Sequence, residues 1–294
     1  MDGSLLFQSL LLGLLLGGLY ALLAAGLTLY FGVMRVVMLA HSAFLVLAAY
    51  LAWFFSSSTG LDPLLSLLVT VPLFFGIGVA LQRLLISRLR PATLTMMSVL
   101  LTFSLALIIE GLLGFAFTGT HRRIALPYSG AHLEVFGASV PVVKLIAFGL
   151  AALALGGLYA LLKLTRFGQA LRATIQHEEA AKLVGINTDR IAGLGFGLGL
   201  ATAAVGGTAL ALDSTIYPSL HWHWIGPLMA IIVVGGLGSI PGAAIAAMVL
   251  GVGQSMLQIP LGTTWAQTFF YLALFATLML HPQGFFGGRL AQRF

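Results

Sequence analysis

The stretch "LLFQSLLLGLLLGGLYALLAAGLTLY", residues 5–30, decides the fold. It contains no Asp, Glu, Lys or Arg. The hydrocarbon core of a bilayer is about 30 Å thick, and a helix needs roughly 20 consecutive apolar residues to cross it. This run is long enough. No basic stretch precedes it, and it exceeds the apolar core of a cleavable signal peptide, so it reads as a first span.

The rest of the chain agrees. Of 294 residues, 60% are hydrophobic and 7% are charged. Soluble domains are about 45–50% apolar and about 25% charged. Further apolar runs lie near 38–55, 63–86, 92–117, 140–164, 191–212, 224–237, 242–259 and 265–281. The second and seventh runs are short and sit beside glycine-rich breaks. A half-helix or re-entrant segment is tolerated only where protein or a cavity surrounds its free backbone groups. The pattern predicts an all-α polytopic membrane protein of eight or nine transmembrane helices, with short broken or re-entrant segments. It forms one transmembrane domain over 1–294.

Basic residues orient such a chain. Nine crossings from an outer N-terminus place Arg35, Arg83, Arg88, Arg90, Lys163, Arg166, Arg172, Lys182, Arg190, Arg289 and Arg293 on one side. Arg122, Arg123 and Lys144 fall on the other. The positive-inside rule makes the first side cytoplasmic, with the C-terminus inside. The net charge of +6 is therefore a statement about orientation, not nucleic-acid affinity.

Several chemistries are excluded. With no cysteine there is no disulfide, thiolate metal site or Cys nucleophile. No G-x-x-x-x-G-K-[ST] is present, so no nucleotide binds through a P-loop. "HEEAA" (177–181) lacks the second His of H-E-x-x-H, and no G-x-S-x-G occurs. No paired nucleophile and base is recognisable at membrane depth, which weighs against an intramembrane enzyme.

Charge collects instead in "RFGQALRATIQHEEAAKLVGINTDR", residues 166–190. The segment is too polar to insert. "QHEEAAKLVG" predicts a short helix with Glu178 and Glu179 favourably placed in its first turn. Lys182 follows Glu178 by four residues, and Gly185 is a natural stop. Ala180, Ala181, Leu183 and Val184 give it a small apolar face. Two readings fit: a helix that docks in a groove of another protein, or an amphipathic loop at the lipid interface.

"YFGVMRVVMLAHSAF" (30–44) interrupts the first two runs with Gly32, Arg35 and His41. "VVGGLGSIPGA" (233–243) interrupts the late ones with Gly235, Gly236 and Gly238. Such breaks either line a solute path or let helices pack closely. Glu110 is the one carboxylate well inside an apolar run. It is either a path residue or a group watered from the outer end of its helix. "YPSLHWHWIGP" (217–227) reads as an outer aromatic girdle or a contact for a binding protein. His221 and His223 alone are too few to hold a metal.

The chain resembles the membrane-spanning permease of branched-chain amino acid ABC importers over nearly its full length. The resemblance rests on "GLYALLAAGLTLYFGVMRVV" (18–37), "AHSAF" (40–44), "TRFGQALRAT" (165–174), "EEAAKLVGINTDR" (178–190), "GGLGSIPGAAI" (235–245) and "HPQGFFG" (281–287). It implies that 165–190 is a cytoplasmic coupling segment. Gln176, Glu178, Glu179, Ala180, Ala181, Leu183, Gly185 and Asn187 would contact the ATPase subunits there. It also implies a translocation pathway near Gly32, Arg35, His41, Ser42, Glu110, Gly235, Gly236 and Gly238.

The implied partners are a pair of ATPase subunits, a second permease subunit and a periplasmic substrate-binding protein. The implied location is the bacterial inner membrane. This chain would bind no cofactor, ATP and Mg being held by the partners. Met38, Ser42 and His281 depart from the usual pattern, which has Asn, the Gly of "AHG" and Arg. Permeases for urea and short-chain amides share most of the motifs, so they remain an alternative solute class. An ion-coupled secondary transporter is the rival of a different class.

Overall fold

A computed structural model describes residues 3–34, 36–89, 94–135 and 137–287. Arg35, Arg90, Arg289 and Arg293 lie outside the described residues. The helices are α1 (Gly3–Met34), α2 (His41–Thr59), α3 (Leu67–Leu84), α4 (Leu94–Phe117), α5 (Val142–Leu164), α6 (Arg166–Gln176), α7 (Glu178–Leu183), α8 (Thr188–Asp213), α9 (Leu220–Gly235) and α10 (Ile240–Leu280). Seven of them are long and apolar enough to cross a membrane. The last of these, α10, has non-helical backbone at Gly262 and so divides into two arms. With the short α9 this makes nine apolar segments, as the run lengths predict. A 16-residue helix such as α9 spans only about 24 Å, less than a full hydrocarbon core.

Two features depart from the sequence reading. A two-stranded antiparallel hairpin, β1 (His132–Val135) and β2 (Ala138–Pro141), decorates the otherwise all-α chain. α9 starts at Leu220, four residues before the apolar run, so His221 to His223 belong to its first turn.

α1, α2 and α8 form the centre, with Tyr30, Tyr50, Phe196 and Leu200 fully buried among them. Close approach comes from small residues. Gly13 and Gly17, four apart on α1, meet the backbone of Val252, Met248 and Gly251 on α10. Gly78 of α3 meets Gly197 of α8 in the same way. In lipid, helices associate through such packing because tails offer no hydrophobic contrast. α3, α4 and α5 are peripheral. Leu68, Phe115 and Leu153 project outward from them as a lipid-facing surface would.

The two ends of the bundle differ. At one end Gln8 reaches Ser139, Tyr128 donates to Asp62 at 2.9 Å, and Lys144 pairs with Asp213 at 2.8 Å. Arg122 there forms an isolated bridge with Ile216 and lies over the Trp53 ring. Burial and the Asp62 carboxylate push the Tyr128 hydroxyl up to about 12. The other end carries α6, α7, the α9–α10 turn and the segment 281–287.

Candidate functional site

The polar elbow is built by successive caps. Thr165 accepts from Gly168 N and starts α6. A Cβ at Gly168 would collide with the Leu162 carbonyl, so "TRFG" is a tight corner that only glycine fits. Arg172 donates back to that same carbonyl at the end of α5. α6 then buries Leu171 and Thr174. The sequence reading did not foresee α6 as a helix of its own. Gln176 closes it and so lies outside the following helix.

His177 is extended and its Nδ1 accepts from Ala180 N, which starts α7. Lys182 bridges Glu178 at 2.9 Å and Glu179 at 3.3 Å. Those two carboxylates, Glu178 first, raise the Lys182 ammonium above its ordinary pKa. α7 ends as expected at Gly185, whose φ of 84° is left-handed. Gly185 N bonds Lys182 O and Ile186 N bonds Ala181 O, the paired closure of a Schellman motif. Asn187 caps α8 by accepting from Arg190 N.

Ala181 is the buried anchor of α7, whereas Leu183 is 88% exposed and Val184 76%. Two apolar side chains thus stand in the open beside an acidic turn. Among the described residues, neither Arg166 nor Arg190 has a carboxylate partner.

The first helix break is sealed inside the protein, whereas the second packs on its neighbours but leaves Leu237 exposed and Gly238 on a cleft. Between α1 and α2 the chain has no regular secondary structure over 36–38 and turns at 39–40. His41, opening α2, lies beside Leu23, about 17 Å back along α1 from its end. The segment therefore re-enters the layer. Thr102 of α4 seals it, donating to Val37 O at 3.0 Å and accepting from Leu39 N at 3.2 Å. His41 is buried with Nε2 2.9 Å from Leu23 O and its ring edge-on to Tyr30. Ser42 is buried and bonds Leu39 O.

The α9–α10 break turns at Gly236 and Gly238, with φ of 94° and 82°. Gly235 packs on Gly242 and Ala243, Gly236 on Gly287, and Gly238 on Gly32. Phe285 N donates to Val234 O at 3.0 Å. The "GGLGSIPGAAI" and "HPQGFFG" stretches therefore lie against each other.

These residues do not form one site. Gly32, Gly238 and Gln176 line a cleft of about 470 Å³ at the elbow end, between α1, α5, α6 and the start of α10. His41 and Ser42 lie apart from it, against Leu228 and Met229. Glu110 stands toward the opposite end. It accepts from Trp222 Nε1 at 3.1 Å and lies 3.7 Å from His221 Nε2. His223 faces Gln267 at 3.4 Å. Among the described residues no three His, Asp or Glu side chains converge as metal ligands would. Sequence reasoning missed Thr102, Lys163 and Arg172. Thr102 carries no local signal, because its partners lie 63 and 65 residues away.

Comparison with known proteins supplies the rest. No solved structure matches this chain. The high-affinity branched-chain amino acid transport permease LivH of Escherichia coli K12 is 27% identical, over 95% of each chain. BraD of Pseudomonas aeruginosa, described as a permease of the same kind, is 25% identical, again over 95% of each. A probable LivH of Methanocaldococcus jannaschii is 26% identical over 98% of this chain and 91% of its own. Residues 9–279, from the first span to the second arm of α10, match one family description. The chain belongs to the family of permease components of the branched-chain amino acid transport system.

Proposed function

We propose that this chain is the membrane subunit of an ATP-driven importer for branched-chain or related amino acids. The observation that carries the reading is the elbow: a short helix, capped at both ends, that presents Leu183 and Val184 beside Glu178 and Glu179. Such a surface suits a protein partner better than water. In this reading paired ATPase subunits grip α7, and Glu178, Glu179, Ala180, Leu183 and Gly185 form the contact. Ala181 and Asn187 support it by anchoring α7 and starting α8. ATP and Mg belong to those partners.

A periplasmic binding protein delivers solute at the hairpin end, and a second permease subunit completes the path. The hairpin end faces outward and the elbow faces the cytoplasm of a bacterial inner membrane. The basic elbow and its apolar neighbours support that orientation. Urea and short-chain amides stay the alternative solute class, because permeases for them share most of these motifs.

The test is coupling. Glu179→Lys should abolish ATP-driven uptake while insertion and thermal stability stay near wild type; Gly185→Trp should abolish it too, at a strain cost of about 1–2 kcal/mol from its left-handed φ. Normal uptake by both variants refutes the assignment of α7.

A further inference from the structure

The cleft at the elbow end carries an inference that does not depend on the transport reading. Its walls are apolar, formed in part by Leu29, Leu162, Ile175, Ile240 and Pro241. Beside the neutral Thr28, Gln176 and Ser239, its charged lining is cationic: Lys163 at the end of α5 and Arg172 on α6, with no carboxylate among the lining residues. Among the described residues neither cation has an acidic partner. Lys163 donates to the Tyr159 hydroxyl at 2.7 Å and stands over that ring. Arg172 spends one donor on the Leu162 carbonyl, and a guanidinium carries five.

This is the wrong complement for a zwitterionic amino acid, whose ammonium would find no counter-charge. It suits a ligand with an anionic head and an apolar tail. The position points the same way. Lys163 marks the level at which the apolar α5 gives way to the polar elbow. Tyr159, half exposed on α5, lines the mouth of the cleft, and Leu153 and Leu164 expose apolar surface elsewhere on the same helix, so acyl chains meet α5 at this level. Basic pockets between spans at the membrane boundary bind acidic lipid heads.

We infer that this cleft is a site for one anionic phospholipid, its phosphate between Lys163 and Arg172 and an acyl chain against the apolar wall. Because α1, α5, α6 and the α9–α10 turn all contribute lining, the lipid ties the elbow to the bundle.

The test is lipid retention. The full-length chain, with any subunits that accompany it, is taken from nanodiscs of equal phosphatidylglycerol and phosphatidylcholine and weighed by native mass spectrometry. One phosphatidylglycerol per chain is expected, in preference to phosphatidylcholine. Lys163→Gln should lower its retention about fivefold, the effect of one cation near an acidic lipid. Arg88→Gln, a basic residue at the same end outside the cleft, should leave it unchanged. Ile175→Trp should displace the lipid by filling the cleft without altering charge.

Equal retention of the two lipids overturns the inference. So does an equal loss in Lys163→Gln and Arg88→Gln, or full retention in Ile175→Trp. Inorganic phosphate in millimolar excess should not strip the lipid. If it does, the site takes a bare anion and the lipid assignment fails. Monodisperse elution of each variant shows that these outcomes are not unfolding.

Discussion

The two interruptions of the bundle solve one problem by different means. Where a helix stops inside a membrane protein, free N–H and C=O groups need partners. At 36–40 the partner is a side chain: one Thr102 hydroxyl serves both Val37 and Leu39. At 236–239 the partners are backbone, since Phe285 N meets Val234 O and glycines stack on glycines. The first seal therefore depends on one functional group. The second depends on the absence of side chains. The two should fail under different substitutions.

The largest effect should come from Gly236→Val. A left-handed φ and the Gly287 backbone both oppose a side chain there. Strain and overpacking together should cost about 3–5 kcal/mol, seen as loss of monodisperse protein after solubilisation. Thr102→Val should come next. It keeps the shape and removes the hydroxyl, leaving two backbone groups unpaired at about 1–3 kcal/mol each. A lowered melting temperature in detergent measures it, and Thr102→Ser should restore most of the loss. If Thr102→Val melts like wild type, the hydroxyl does not seal the break. A smaller effect is expected for Lys144→Ala, because its pair with Asp213 is partly exposed: under about 1 kcal/mol. Smallest for stability is Leu183→Asp, within about 0.5 kcal/mol, since the side chain touches little. Yet it should abolish ATP-driven uptake, which separates a functional surface from both structural seals.

The contrast also explains what was legible from sequence. Lipid demands long apolar runs, so all nine apolar segments announce themselves. α7 is readable because its acids, its i, i+4 pair and Gly185 are local signals. α6 is not: Phe167, Leu171 and Ile175, four apart, make a regular apolar face, but one only 11 residues long inside a polar stretch. The hairpin is hidden for a similar reason: "HLEV" and "ASVP" are too short and mixed to stand out. The glycine breaks could be found but not interpreted. Nothing near Gly236 says that 284–287 covers it, and nothing near Val37 names Thr102. Glu110 is visible as an oddity, but its Trp222 and His221 neighbours come from another helix.

The stitch between Phe285 and Val234 also has a bearing on biogenesis. Val234 leaves the ribosome two membrane segments before its donor does. Until the turn bearing Phe285 has been translated and threaded back, that carbonyl must borrow a hydrogen bond from water, from lipid headgroups or from the insertion machinery. The late arrival of this short piece thus marks when the nascent molecule can close on itself, and a chain stopped just short of it would stay ajar to quality-control proteases.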